Sequence, residues 1–382
     1  VNKQKIIILS TVFIDVLGFG IVIPILPYYL TEFGASAVTI TVLFSVFSLC
    51  AFISSPFLGA LSDKIGRRPV LLISIFSTAI GWFVFASANS IAFLFIGRII
   101  DGMAAGNFTT AQSYLVDIST DEKDRMSNLG IIGATFGIGF IFGPLFGGIL
   151  STISHAFPFY VAGGMAFING TIAIFLLKES NFHRNQAKIS YNPFSPILRA
   201  FYNLPLRPVF SIWFLFSLAF VTVNSIFALF SQEVFGFTSF QTGLLFTVIG
   251  IVIVINQVVL LKKFWLHRFT QDQIEMMMLV FVTIGLLMIS TQNLIMFFAS
   301  LPFLGTSQAI LRVIITNKAV STIDARKKGE IIGTITALMT GAMVIAPVLA
   351  GILFEFSSSL PFFVSAALSI IALYISRKFG KT

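Results

Sequence analysis

The stretch GALSDKIGRRPVLL, Gly59 to Leu72, packs Asp63, Lys64, Arg67 and Arg68 into six residues, in a chain of which only 10% is charged. Long apolar runs flank it on both sides. Its reading depends on the medium those runs belong to, and composition decides that. Hydrophobic residues fill 57% of the 382 positions, 45 of them Phe. A soluble domain carries roughly 25% charged residues, so this chain cannot cover itself with a hydrated surface.

Apolar runs of roughly 20 residues are long enough to cross a bilayer. Twelve are predicted, at 6–30, 38–61, 70–88, 91–117, 128–153, 158–178, 208–231, 241–264, 273–292, 294–318, 329–354 and 361–377. The fold class that follows is an all-α membrane protein of twelve transmembrane helices. Of the 24 Lys and Arg, 22 lie outside the spans or within two residues of a span end, at the N-terminus, in every second loop and at the C-terminus. The alternate loops hold Glu32, His155, Glu233 and Glu355 and no Lys or Arg. By the positive-inside rule both termini are cytoplasmic. The net charge of +9 is then a topology signal spread over thin loops, and no nucleic-acid partner is expected.

The first span contains Asp15 and has no small-residue cleavage site before Tyr28, so it reads as a membrane helix and not as a signal peptide. Cys50 is the one cysteine, which excludes disulfides and cysteine-rich metal sites. No phosphate-binding loop appears, which argues against an ATP-driven pump. The three His are scattered and no nucleophile arrangement is visible. No enzyme activity, metal or cofactor is expected.

The longest connection, 179–207, divides the spans six and six, giving an N-terminal half 1–178, a cytoplasmic linker and a C-terminal half 208–382. A shift of 203 residues aligns GIIGATFGIGFIFGPLFGGIL (130–150) with GTITALMTGAMVIAPVLAGIL (333–353), with seven of 21 positions identical. Pro144 meets Pro347 and Gly148 meets Gly351; Asp121 meets Asp324 and Arg125 meets Lys328. Parallel repeats of this kind build rocking transporters that hold the substrate between the halves. In the linker, PFSPILRAFYNL (193–204) is either a basic amphipathic helix on the inner leaflet or an ordinary tether.

The opening stretch, read as GALSDKIGRRP, resembles the loop between the second and third helices of the major facilitator superfamily. FIDVLGFGIVIPILP (13–27), GRIIDG (97–102) and GPLFGG (143–148) resemble its motifs in the first, fourth and fifth helices. In order, they are similar to the pattern of the twelve-helix drug:proton antiporters. SHAFPFY (154–160) and LLKES (176–180) extend the similarity toward the tetracycline/proton antiporter branch. The resemblance is nearly continuous over 1–180 and faint beyond.

This resemblance implies a gate motif of Gly59, Asp63, Gly66, Arg67, Arg68, Asp117 and Arg125. Gly59 and Gly66 would allow the tight turn. Asp63 would sit near the positive start of the eleventh helix, and Arg67 or Arg68 would reach Asp117, with Arg125 nearby. Such contacts bias a two-state equilibrium; the alternative is that the basic residues only set topology. Gly139, Gly143 and Gly147, four apart on one face, allow close helix packing. With Pro144, which bends the helix, and Gly148, the resemblance makes them the antiporter motif, packed against the eleventh helix around Pro347.

Four ionisable side chains are assigned clearly within the spans: Asp15, Arg98, Asp101 and Arg312. A charge near the bilayer centre costs about 2.5–3.5 kcal/mol on the insertion scale, so each is a functional candidate. Arg98 and Asp101 share a helical face and either neutralise each other or tune a nearby proton-exchanging acid. Asp15 is the better proton candidate, because a carboxylate's protonation responds to desolvation and to nearby cations; a structural hydrogen-bonding role is the alternative. The related motif usually has a neutral residue where Asp101 stands. Arg312 could pair with Asp15 or bind an anionic substrate.

Asn107, Thr110 and Gln112, Asn224, Asn256 and Gln257, and Gln308 are scattered polar groups among abundant Phe. They suggest an apolar cavity with few anchors, suited to an amphiphilic small molecule; interhelical hydrogen bonding is the alternative. Tetracycline exporters carry an acid in the ninth helix, and MMMLVFVTIGLLMIS (276–290) has none. The expected function is proton-coupled export of amphiphilic compounds or drugs from the bacterial cytoplasmic membrane. The expected partners are the substrate, protons and the lipid bilayer, and the expected state is a monomer. A proton-coupled symporter or uniporter for a small metabolite is the alternative, against which GPLFGG counts.

Overall fold

The computed structural model describes residues 3–181, 202, 206–321 and 328–379. Among them are twelve helices long and apolar enough to cross a membrane. They are α1 (Lys3–Thr31), α2 (Ala37–Ile65), α3 (Arg67–Ala86), α4 (Ile91–Asp117), α5 (Glu122–Leu150) and α6 (Phe157–Leu176). The second six are α7 (Arg207–Phe235), α8 (Ser239–Arg268), α9 (Gln271–Ser290), α10 (Leu294–Ser321), α11 (Lys328–Phe356) and α12 (Leu360–Phe379). No described residue lies in a strand. The linker stretch 193–204, apart from Tyr202, lies outside the described residues, as does Asp324.

Local chemistry explains where the helices depart from the apolar runs. α2 continues through the charges to Ile65, and Gly66 alone makes the turn at φ 112°. That region suits glycine because it has no Cβ. α5 starts early because the Asp121 side chain accepts from the Asp124 N–H, an N-cap. α9 starts at a capping box formed by Thr270 and Gln273. α7 runs to Phe235 and stops at Gly236, which is left-handed.

Two helices are irregular. α4 breaks between Met103 and Asn107, where the Ala104 and Ala105 N–H groups bond only three residues back, to Asp101 and Gly102. α8 is π-helical over Ile255–Trp265.

The chain forms two compact units. The first holds α1, α2 from Val46 onward, α3 to α6, and Thr238–Phe246 at the start of α8. α1 lies at its centre and packs on α4, α5 and α6. Its core joins Ile7, Ile8, Val12 and Val16 of α1 to Leu71, Ala111, Tyr114, Ile132 and Ala173. The second unit holds α7, α9 to α12, the rest of α8, and Ser36–Ser45 at the start of α2. There Trp213 Nε1 donates to the Ile335 carbonyl of α11 at 2.8 Å, and Phe230 meets Phe362 of α12 edge to face. Large apolar side chains stay on the outside, among them Ile80, Phe167, Ile168 and Phe175. A lipid solvent permits this, so packing and polar contacts must bind the helices to each other.

Candidate functional site: a buried polar centre and a charged turn

The polar centre of the first unit starts with two glycines. A Cβ on Gly81 of α3 would lie 2.9 Å from the Asp101 nitrogen, and one on Gly97 would lie 2.9 Å from the Gly81 carbonyl. The α3 and α4 backbones therefore touch, and Thr78 of α3 hydrogen-bonds Asp101. Arg98 Nη1 pairs with Asp101 Oδ2 at 3.1 Å, and the guanidinium lies 4.5 Å from the Phe47 ring centroid and 5.4 Å from that of Trp82. Arg98 is 1% exposed and Asp101 7%, and the Arg98 Nε and Nη2 have no hydrogen-bond partner among the described residues.

Asp15 of α1 joins this centre from the other side of the α4 break. It is partly buried, accepts from Asn107 Nδ2 at 3.3 Å, and interacts electrostatically with Asp101. Two carboxylates, one guanidinium and one amide thus share a site inside one unit. Ser54 of α2 donates to the Gly102 carbonyl and Ser55 to the Ala105 carbonyl, each at 2.9 Å. Serine hydroxyls can satisfy backbone groups that a helix break frees in a membrane. Asn107, expected among the cavity groups, is 2% exposed and bonded to Asp15, which places it in this centre.

The charged turn forms a second cluster. Arg67 Nη2 pairs with Asp63 at 2.6 Å, its Nη1 donates to Ser62 at 2.6 Å, and its Nε reaches Asp117 of α4 at 3.1 Å. Arg68 turns away and donates to the Ile174 carbonyl of α6 at 2.7 Å. Arg125, expected nearby, pairs within its own helix with Glu122 at 3.6 Å, because both project from the exposed start of α5. Gly59 is also corrected: it sits inside α2 with open space around it, so the turn does not need it.

Glu179 was not among the expected gate residues. Its carboxylate accepts from the Arg67 N–H at 2.8 Å, the Arg68 N–H at 3.2 Å, and the N–H groups of Ser180 and Asn181 at 3.0 Å each. It serves as the acidic cap of α3, where the helix dipole favours a negative charge. A Cβ on Gly66 would collide with it. Ser180 adds a bond to Asp117 at 3.1 Å.

The glycine face of α5 packs on α1. A Cβ on Gly139 would lie 3.0 Å from Val16, one on Gly143 would lie 2.8 Å from the Gly20 Cα, and one on Gly147 would lie 3.2 Å from the Ile21 Cα. This corrects the expected partner, α11 around Pro347. Gly20 sits on the facing side of α1 and lets both backbones approach, and the Pro144 ring fills the same seam. Gly148 faces another way and meets Phe240 and Gly243 at the start of α8.

In the second unit the polar candidates mostly satisfy the backbone. Asn224 donates to the Phe220 carbonyl at 3.0 Å and Gln257 to the Ala309 carbonyl at 3.2 Å. Asn256 bonds the Val252 carbonyl and Thr306, and accepts from Trp265 at the far end of the π-helical stretch. Gln308 is partly buried and Arg312 is exposed. Gln112 is partly buried in the second segment of α4.

A second buried ion pair, not among the expected site residues, lies near the ends of α9 and α10. Glu275, 0% exposed, and Lys318, 7% exposed, lie inside α9 and α10 and pair at 2.8 Å. Asp272 adds a 2.7 Å contact to Lys318 and Ser376 donates to Glu275 at 2.5 Å.

Residues 8–270 match the Major Facilitator Superfamily. The chain is 28% identical to the "Tetracycline resistance protein, class C" of Escherichia coli over 397 residues, covering 99% of this chain and 97% of that one. It is 26% identical to "Multidrug resistance protein 2" of Bacillus subtilis (strain 168), covering 98% and 95%. The crystal structure of the nucleoside transporter NupG superposes with a TM-score of 0.79 at 15% identity, with 100% of both chains covered. Twelve apolar helices, the charged turn, the glycine face and this match together make the chain a multi-pass membrane transporter belonging to the Major Facilitator Superfamily.

Proposed function

We propose that the protein exports amphiphilic organic compounds or drugs in exchange for protons, by alternating access, from a bacterial cytoplasmic membrane. The observation that carries this reading is the centre of Asp15, Asn107, Arg98 and Asp101, ionisable groups held within a membrane-crossing unit. Such groups are expensive in lipid and mark ion pathways. Asp15 is assigned the exchanging proton, since it is the less buried acid and its hydrogen-bond partner is a neutral amide. Asp101 and Arg98 tune it as a pair. The names of the tetracycline and multidrug resistance relatives support export of organic compounds.

In this reading both termini and the basic loops are cytoplasmic, the linker 179–207 joins the halves 1–178 and 208–382, and the transporter acts as a monomer. The turn around Gly66, fixed by Arg67, Asp117 and Glu179, is a rigid part of the cytoplasmic gate. Asp63, 48% exposed, keeps room for a further partner as the state changes. Cells expressing the protein should accumulate less of a fluorescent amphiphile such as ethidium than control cells, and a protonophore should erase the difference. Higher accumulation in expressing cells would favour uptake. A sodium requirement with no response to the proton gradient would exclude proton coupling.

A further inference from the structure

Asn107 is the residue at which α4 resumes after its break, and its Nδ2 donates to Asp15. The side chain is 2% exposed, and its Oδ1 is buried with no hydrogen-bond partner among the described residues. A buried amide oxygen left idle is destabilising. Placed beside a carboxyl group that can change protonation state, the idle acceptor has a use.

An ionised carboxylate only accepts hydrogen bonds, whereas a carboxylic acid also has an O–H to donate. The primary amide offers both functions at one position. With Asp15 ionised, the Asn107 N–H donates, as in the structure. When Asp15 takes a proton from water, its new O–H needs an acceptor, and a half turn of the Asn107 amide presents Oδ1. The break in α4 lies directly before this residue, and its carbonyls are held by Ser54 and Ser55 of α2. The joint can adjust while the helical segments on either side keep their own hydrogen bonds.

We propose that Asn107 is the positioning residue for Asp15, holding it in both the ionised and the protonated form by exchanging amide donor for amide acceptor. This rests on the reading of Asp15 as the proton site. The charged groups facing Asp15 are Asp101 and, paired to it, Arg98, both from α4. α5 has no ionisable residue in Gly130–Leu150, and α6 has only Tyr160, near its start. α2 brings Cys50, packed on Gly102, and the ionisable residues of α3 are Arg67 and Arg68, at its start.

The test is infrared difference spectroscopy of the purified full-length protein through a pH titration, which needs no cargo. Asp15→Asn identifies the carbonyl stretch of protonated Asp15 by removing it. Asn107→Leu should raise the frequency of that band and move its midpoint toward alkaline pH by about one unit, through loss of a charge-assisted hydrogen bond. Asn107→Gln, which keeps both amide functions, should return the midpoint toward wild type. If the leucine variant fails to fold, Asn107→Ser, too short to reach Asp15, should give the same displacement. An Asp15 band unmoved in frequency and midpoint in the leucine or serine variant overturns the proposal. A titration with no band lost in Asp15→Asn overturns the Asp15 reading itself, and the proposal with it.

Discussion

Gly143→Ala places one methyl group in the seam between α1 and α5. Its Cβ would lie 2.8 Å from the Gly20 Cα, 2.9 Å from the Leu17 carbonyl oxygen and 3.0 Å from the Gly20 carbonyl carbon. Comfortable carbon contacts lie at about 3.5–4.0 Å, so the helices must separate by roughly 1 Å. All three obstacles are backbone atoms, which no rotamer change can move aside. Overpacking of this kind costs about 1–3 kcal/mol, against which alanine's better helix propensity returns up to about 1 kcal/mol. A net loss of up to about 2 kcal/mol is expected. Gly137, on the same helix with open space around it, is the internal control, because alanine there gains the propensity and meets nothing. Separation of α1 from α5 also displaces Asp15, five residues before Gly20, from an Asn107 bond already 3.3 Å long. Thermal unfolding in detergent and ethidium export should both fall for Gly143→Ala and hold for Gly137→Ala. Equal melting temperatures and equal export in the two variants would refute the close-packed seam.

Asp101→Asn leaves the Arg98 guanidinium buried without its counter-charge and should destabilise the first unit by about 3–5 kcal/mol, seen as a lower melting temperature; an unchanged temperature would mean the pair contributes nothing. Gly66→Ala should lower stability and transport together, since it strains a φ of 112° and collides with the Glu179 carboxylate; a smaller loss from Gly66→Ala in a Glu179→Ser background than in wild type would identify the collision as the cause, and an equal loss the backbone strain. Lys318→Met should be more damaging than Lys318→Met with Glu275→Gln, because the single change strands a carboxylate that is 0% exposed and the double change does not; a double variant no more stable than the single one would count against that pairing. Each is read by thermal unfolding of purified protein.

The apolar runs announced the twelve helices well because lipid demands continuous helical segments, and caps account for some of the ends that moved, at Asp121, Thr270 and Gly236. The break in α4 was harder to see. GMAAGN contains no proline, and the interruption depends on hydroxyls from α2, which lie about 50 positions away. Spacing showed which face of α5 carries the glycines but not which helix fills it; the usable signal was Gly20 in α1. Glu179 is an ordinary loop acid until the fold brings it to the start of α3, 112 residues from Arg67 in sequence. Glu275 and Lys318 sit near helix ends, where charges read as solvated, and only packing against each other and Ser376 buries them.

Proton movement in proteoliposomes containing the purified protein tests proton-driven export most directly. A panel of antibiotics and cationic dyes is added under an imposed proton gradient, and internal pH is followed for wild type and Asp15→Asn. The account predicts that at least one amphiphile drives proton flux opposite to its own movement in wild type, and that Asp15→Asn abolishes this flux while the protein remains folded and inserted. Uphill cargo movement of undiminished rate in Asp15→Asn, or cargo and protons moving in the same direction, would contradict it.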